Sequence, residues 1–313
     1  MRVGQNPVKS VESIEAPAAV TIVIINYIPF LAGYYAQSLD VLKRCLASIK
    51  ANTAGDYDLM LFDNGSCSEA RSYLLEQEEA GNIDFLFLSE RNLGKAGAWN
   101  LALAAAPGEV IAYADSDVYF HPGWLEAHLD GLAAFPNVGM LTGMPLLSPE
   151  KYSTSTVVWA ESARGVKVER GQMLAWEDFW RHARSLGDEE EVARKFYGET
   201  ESIRISKSGK HFFAGAAHFQ FVSKKDILEE ILPIPAERPM GRVRLLDEMV
   251  NEKGYLRLSL PGWHVQHMGN TLEGSHEPAA EKGSGSGGFW QWGPMRKLLQ
   301  RLYDRIFSIL YRQ

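Results

Sequence analysis

Two hydrophobic periods alternate along the first half of the chain. Short apolar, β-branched or aromatic runs stand at 20–25, 57–62, 83–88, 110–114 and 138–142. Runs of that length and composition predict buried strands. Between them, apolar residues recur at three- and four-residue spacing. Leu39, Leu42, Leu46 and Ile49 follow Ser38, which reads as an N-cap, and further helices are predicted over 68–79, 95–105 and 123–134. Strand and helix in strict alternation imply βαβ units, and so a Rossmann-like, mostly parallel central sheet with flanking helices.

On this reading the strands end at Asn26, Asp63, Ser89 and Asp115. In open α/β sheets ligands bind outside the carboxyl ends of the strands, where helix N-termini offer unpaired N–H groups. Polar residues gather at those ends here.

After about residue 145 the alternation decays. The stretch 150–210 is polar and charge-rich, holds Trp159, Trp176 and Trp180, and reads as an insertion or lid. An alternating strand-like run at 211–223 follows, then a helix near 224–231, a helix at about 244–253 and a strand at 255–259. Gly and Ser at 283–288 make a flexible linker by composition. A basic amphipathic helix is predicted beyond it, at about 294–311. The organisation predicted is therefore an extension (1–19), two halves of one domain (20–145 and 146–270), a linker (271–288) and a terminal helix segment (289–313).

Composition narrows the picture. A chain of 313 residues, 46% hydrophobic and 23% charged, can bury a substantial core. Its net charge of -7 supplies no basic face for general nucleic-acid binding, so no nucleic-acid partner is expected. Cys45 and Cys67 are the only cysteines, which excludes a disulfide scaffold or a cysteine-built zinc site and suits a reducing compartment. The first twenty residues lack the apolar core of a secretion signal, and no apolar run approaches the roughly 20 residues of a membrane span. A cytoplasmic location is expected.

Three clusters carry candidate chemistry. Asp115 and Asp117 sit one residue apart after an apolar strand; on extended backbone they would share a face and could clamp Mg²⁺ or Mn²⁺. A solvated turn ahead of the next helix accounts for the same spacing. Asp63, Asn64, Gly65 and Ser66 form a polar strand end, though these residue types also favour ordinary turns. His264 and His267 lie three apart after a Pro-Gly pair, and a neutral imidazole could complete a site built by Asp117.

Five segments, TIVIINY, LFDNGSCSEA, RNLGKAGAWNLAL, VIAYADSDVYFHPGWLE and VGMLTGMPLL, occur in the order of successive strand ends in the family-2 glycosyltransferases of GT-A fold, which the chain resembles over about 20–145 and again over 211–270. The resemblance implies that Asn26 and Asp63 frame a nucleoside, that Asn64 and Ser66 shape that loop, and that Arg91, Asn92 and Gly94 cover the nucleotide. It places Asp115 near the ribose and metal, and gives Asp117 and His267 to the metal itself. HFFAGAAHFQFVSKKDIL resembles the family's small-residue segment between the sugar and acceptor pockets, with Ala214, Gly215 and Ala216 leaving room for substrate. Asp247, with Glu248 second, matches the general base; the run from this pair to Gly254-Tyr255 is shorter than the family's. Asn100 is expected to pack rather than bind, and His121 and His218 to be structural or on the acceptor side.

The activity implied is transfer from a nucleotide-diphosphate sugar, a UDP-sugar by default, to a hydroxyl of a polysaccharide, glycolipid or glycan, with inversion. The basic helix of 289–313 would then lie on the inner face of an anionic membrane, or else dock on its own domain or on a second subunit. A degenerate domain that only binds carbohydrate or protein fits the same strand ends. A nucleotidyltransferase fits less well, because NYIPFLAGYYAQ after the first strand has no Lys or Arg. No G-x-G-x-x-G follows that strand either, so a dinucleotide dehydrogenase is poorly supported.

Overall fold

The computed structural model of the protein describes residues 4–11, 13–237 and 243–272. The elements run β1 (Val20–Asn26), α1 (Ser38–Asn52), β2 (Asp58–Asp63), α2 (Ser68–Glu79), β3 (Phe85–Leu88), α3 (Gly94–Ala105) and β4 (Val110–Asp115). Next come β5 (Val118–Phe120), α4 (Trp124–Ala134), β6 (Val138–Thr142), α5 (Thr154–Ser162), β7 (Val166–Gly171), α6 (Trp176–Ser185) and α7 (Glu190–Glu199). The rest are β8 (Ser202–Lys207), β9 (Lys210–Ala214), β10 (Gln220–Lys224), α8 (Lys225–Ile231), α9 (Arg244–Glu252), β11 (Leu256–Ser259) and β12 (Val265–His267).

A ten-stranded sheet forms the centre, in the order β3-β2-β1-β4-β10-β6-β11-β9-β8-β7. The β3-β2-β1-β4 block is parallel, so Asn26, Asp63 and Asp115 end their strands on one edge of the sheet. Every residue of β1 is buried, because helices cover both faces. Ile22 and Ile24 pack with Leu42, Leu46 and Ile49 of α1 and Leu74 of α2. Val23 and Ile25 point the other way, toward Trp99 and Leu103 of α3.

Beyond β4 the sheet is mixed. β10 runs antiparallel to both β4 and β6, and β9 antiparallel to β11 and β8. Short connections cause this: Ser208 (φ 51°) and Gly209 (φ 80°) turn β8 straight into β9, and a two-residue turn of that hand joins antiparallel neighbours.

Several expected elements shift. Helix α1 begins at Ser38 itself, and Gln37 precedes it without a side-chain cap; the Gln37 Oε1 instead accepts from the Leu272 N–H at 3.1 Å. The strand-like run at 211–223 divides into β9 and β10, parted at Gly215 (φ 123°). Residues 150–210 contain α5, β7, α6, α7 and all of β8, and so extend the sheet rather than loop over it. The linker of 283–288 and the basic helix of 289–313 lie outside the described residues. No helix among the described residues is long and apolar enough to cross a membrane.

Candidate active site

The first corner of the site is a closed hydrogen-bond circuit at the ends of β1 and β2. Asn26 Nδ2 donates to Asp63 Oδ1 at 3.0 Å and to Ser66 Oγ at 3.1 Å, while the Ser66 N–H donates to Asp63 Oδ2 at 3.0 Å. Ser66 Oγ also accepts from the Ile28 N–H at 2.9 Å. Asn26 and Asp63 are fully buried, and Asn26 Oδ1 has no hydrogen-bond partner. A buried acceptor left open costs stability, which marks this corner as built for more than packing.

Asn64 latches this corner to the loop before α3. Its Oδ1 accepts from the Leu93 N–H at 2.8 Å and its Nδ2 donates to Asn92 Oδ1 at 3.0 Å, and Asn92 Oδ1 in turn accepts from the Gly94 N–H at 2.8 Å. Gly65 sits where the two loops touch. At φ 85° it occupies the left-handed region, and a Cβ there would lie 2.8 Å from Arg91 C and Asn92 N. Asn26, Asp63, Asn64, Asn92 and Gly94 are thus one assembly, with Arg91 exposed on its rim. Asn100 stands outside it, exchanging hydrogen bonds with the backbone of Ile234 at 2.7 Å in both directions.

The second corner is Asp115. Lys95 Nζ lies 2.6 Å from its Oδ2, and the Tyr113 hydroxyl donates to its Oδ1. Burial, and then the Asp115 charge, push the Tyr113 phenol well above its ordinary value, so it stays a donor. Lys95 also lies 5.2 Å from the Trp99 ring centroid. The strand-end pattern did not single out Lys95. The signal available was a cation in the first turn of a helix, where the helix dipole favours anions.

The extended Asp-x-Asp geometry does not hold. The strand stops at Asp115, Ser116 and Asp117 turn, and β5 begins at Val118. The turn brings Asp117 to β12, which pairs with β5. His267 Nε2 lies 3.2 Å from Asp117 Oδ2, and the Met268 N–H donates to the Asp117 carbonyl at 2.8 Å. Ser185 Oγ of α6 sits 3.0 Å from His267 Nδ1 and fixes the ring. Burial alone would raise the Asp117 carboxyl, but the His267 charge, the hydrogen bond to His267 and the Lys95 charge together outweigh it and hold it low. Burial likewise pulls His267 down, and the charge and hydrogen bond of Asp117 with the charge of Asp115 together more than reverse that.

Asp117 and His267 fit a hard divalent cation. Asp117 Oδ1 is buried with no hydrogen-bond partner, Oδ2 and the imidazole converge, and Ser185 orients the ring from behind. Among the described residues no three His, Cys, Asp or Glu side chains converge closely enough to hold a metal by themselves. A Mg²⁺ or Mn²⁺ ion held by Asp117 and His267 would therefore need phosphate and water in its other positions. His264 does not join the pair. Its N–H donates to the Gly143 carbonyl at 2.7 Å.

The acidic pair of α9 divides. Asp247 is buried, with Arg257 Nη2 2.8 Å from its Oδ1 and His218 Nδ1 3.3 Å from its Oδ2. Glu248 is exposed. Arg257, itself buried, also donates to the carbonyls of Ala216 (2.6 Å) and Tyr152. Gly215 has no side chain because Ser148 occupies that space, where a Cβ would lie 2.5 Å from Ser148 Cβ. The loop from Gly215 to Phe219 joins this acidic group to the second corner: the Asp115 N–H donates to the Phe219 carbonyl at 2.8 Å, and the Phe219 ring lies 5.4 Å from that of His267.

The profile of the family described as Glycosyl transferase family 2 matches residues 34–169. An uncharacterized glycosyltransferase of Nostoc sp. is 27% identical over 128 residues, covering 41% of this chain and 37% of that protein. Chondroitin synthase of Escherichia coli is 28% identical over 117 residues, 37% of this chain and 16% of the synthase. The match thus spans well under half of either relative. Among solved structures, a mannosyltransferase of Pyrobaculum calidifontis in complex with GDP-Man and Mn²⁺ aligns over 79% of this chain and 55% of its own, with 16% identity and a TM-score of 0.46. S. aureus TarS 1-349 in complex with UDP-GlcNAc aligns over 41% of this chain and 35% of its own, with 17% identity and a TM-score of 0.33. The strand ends that build the first two corners lie mostly within the matched stretch, and the chain therefore carries a glycosyl transferase family 2 domain.

Proposed function

We propose that this protein transfers a sugar from a nucleotide-diphosphate sugar to a hydroxyl of a polysaccharide, glycolipid or glycan, with inversion at the anomeric carbon. The observation that carries the reading is the convergence of Asp115 with Lys95 and of Asp117 with His267, where Lys95, Asp115 and Asp117 lie within the stretch that matches family 2 and His267 joins them from β12. A cation with a diphosphate calls for that mixture of charges: two carboxylates, an imidazole and an ammonium close together.

The circuit of Asn26, Asp63 and Ser66, braced by Asn64, Asn92 and Gly94, holds the nucleoside end, with Arg91 at its rim. Asp117 and His267 would hold Mn²⁺ or Mg²⁺, with Asp115 between ion and ribose. When bound, such an ion neutralises charge on a departing diphosphate. Lys95 is placed to add a positive charge beside the same group. Asp247, with Glu248 next to it on α9, marks the side from which the acceptor hydroxyl approaches and loses its proton. An attack from that side, opposite the leaving group, inverts the centre in one displacement. A UDP-sugar is the first donor to try. The basic amphipathic pattern of 289–313 supports a peripheral site of action at the inner face of an anionic membrane.

The test is a thermal-shift panel of UDP, GDP and dTDP and their common sugars, each with and without Mn²⁺, followed by assay of released nucleoside diphosphate. One base should stabilise the protein in a Mn²⁺-dependent way, and Asp117→Ala should abolish both that shift and turnover. No shift and no release with any donor would sink the proposal.

A further inference from the structure

Asp247 is closed off from a reacting hydroxyl. Its Oδ1 faces Arg257 Nη2 at 2.8 Å, its Oδ2 faces His218 Nδ1 at 3.3 Å, and only 7% of the residue is exposed. An acceptor would have to displace one of these partners to reach either oxygen.

His218 is placed differently. Its side chain is 35% exposed. Since a carboxylate only accepts, the proton shared with Asp247 sits on Nδ1, which leaves a lone pair on Nε2. The residue is carried by the loop whose next member, Phe219, accepts the Asp115 N–H and packs on His267. Its ring also lies 6.4 Å from that of Trp99, which in turn contacts Lys95 and Tyr113. The imidazole therefore links the Asp247 carboxylate, through Trp99 and Phe219, to the corner at Asp115.

Resting on the glycosyltransferase reading above, we propose that His218 Nε2 is the atom that takes the acceptor proton, with Asp247 as its positioning residue. As the acceptor oxygen bonds to the anomeric carbon, its proton passes to Nε2. The anomeric carbon–oxygen bond breaks at the same time, and its electron pair leaves on the diphosphate. Asp247 keeps the ring in the right tautomer and stabilises the imidazolium. Arg257 holds Asp247 in place from behind, through contacts that also tie it to Ala216 and Tyr152.

The experiment measures release of UDP from UDP-glucose and UDP-N-acetylglucosamine with Mn²⁺ and water as the acceptor. His218→Ala should lower kcat by about 100-fold or more, the scale of a lost general base. The Mn²⁺-dependent thermal shift with UDP should stay as in the wild type, and added imidazole should restore part of the rate. Asp247→Asn should lower kcat in the wild-type background but change it little in the His218→Ala background, since residues acting as a unit are not additive. A rate within threefold of wild type in His218→Ala, or an equal loss from Asp247→Asn in both backgrounds, overturns the assignment while leaving the glycosyltransferase reading intact. Failure of the wild type to bind UDP or release it from any donor sinks both together.

Discussion

Asp117 and His267 meet at 3.2 Å because β5 and β12 pair antiparallel, with Val118 directly opposite His267. The neighbouring carboxylates together more than offset the effect of burial and leave the imidazole above its ordinary value of 6.5. A proton thus competes with any cation for Nε2. Mn²⁺ affinity should rise with pH through neutrality, as the raised value makes metal binding release a proton. Titrating Mn²⁺ by its paramagnetic signal at pH 6.5, 7.5 and 8.5 checks this; an affinity independent of pH would remove His267 from the metal.

Ser185 gives a second test of the same pair. Its hydroxyl lies 3.0 Å from His267 Nδ1, and its only proposed task is to hold the ring. Ser185→Ala should weaken Mn²⁺ binding by roughly 10-fold, in line with the loss of an outer-shell partner, without altering UDP binding in the absence of metal. Calorimetry with and without Mn²⁺ separates the two effects.

The parallel half of the fold was legible because each strand is short, apolar on both faces and followed by a helix with one apolar stripe. The helix at 68–79 occurs with those bounds, and so, in the mixed part, does the strand at 138–142. The β5–β12 ladder was not legible. It is two three-residue strands far apart in sequence, too short for a hydrophobic period to register. Without that ladder, Asp115 and Asp117 look like one extended pair, whereas the turn at Ser116 gives them separate partners. Residues 150–210 were opaque for a related reason. Strand β7 is half-exposed along its length and α6 is charged, so their packing depends on distant contacts such as Trp263 Nε1 to Asp178 Oδ1 at 2.7 Å. His218 is the clearest instance: only the fold places it beside Asp247.

Gly65 should be intolerant of any side chain. Its φ of 85° disfavours other residues, and a Cβ would press on Arg91 and Asn92 backbone, which cannot swing away as a flexible side chain could. Gly65→Ala should part the two loops and lower UDP affinity at least about 10-fold, at a stability cost of about 1–3 kcal/mol. Isothermal calorimetry and urea denaturation read the two effects. Unchanged affinity would show that the junction does not shape the nucleoside end.

Lys95 should matter more to diphosphate than to the fold. Lys95→Met keeps much of the stem over Trp99 but removes the charge beside Asp115. UDP binding should weaken about 10- to 100-fold, the scale of a charge-assisted hydrogen bond, with uridine binding unaffected. Equal losses for UDP and uridine would place Lys95 at the nucleoside instead.

Two histidines, His128 buried and His182 half-buried, should make the protein acid-sensitive. Burial holds His128 down to about 4, and burial with the nearby His267 charge holds His182 down to about 3, both from 6.5. On unfolding each regains its ordinary value, so below about pH 6.5 the unfolded chain binds protons that the folded chain refuses. Their contribution is complete above that pH and is lost as pH falls toward 4 and 3. For His128 alone the full loss is on the order of 3 kcal/mol. His128 is the cleaner test because it stands apart from the metal pair, with Nδ1 2.6 Å from the Trp124 carbonyl and Nε2 3.2 Å from Gln220 Nε2. Those contacts assign the proton to Nδ1, so a neutral donor should keep part of the packing. His128→Gln should be less stable at pH 7.5 yet lose less stability between pH 7.5 and 5 in urea titrations. An unchanged slope would mean that the acid sensitivity arises elsewhere.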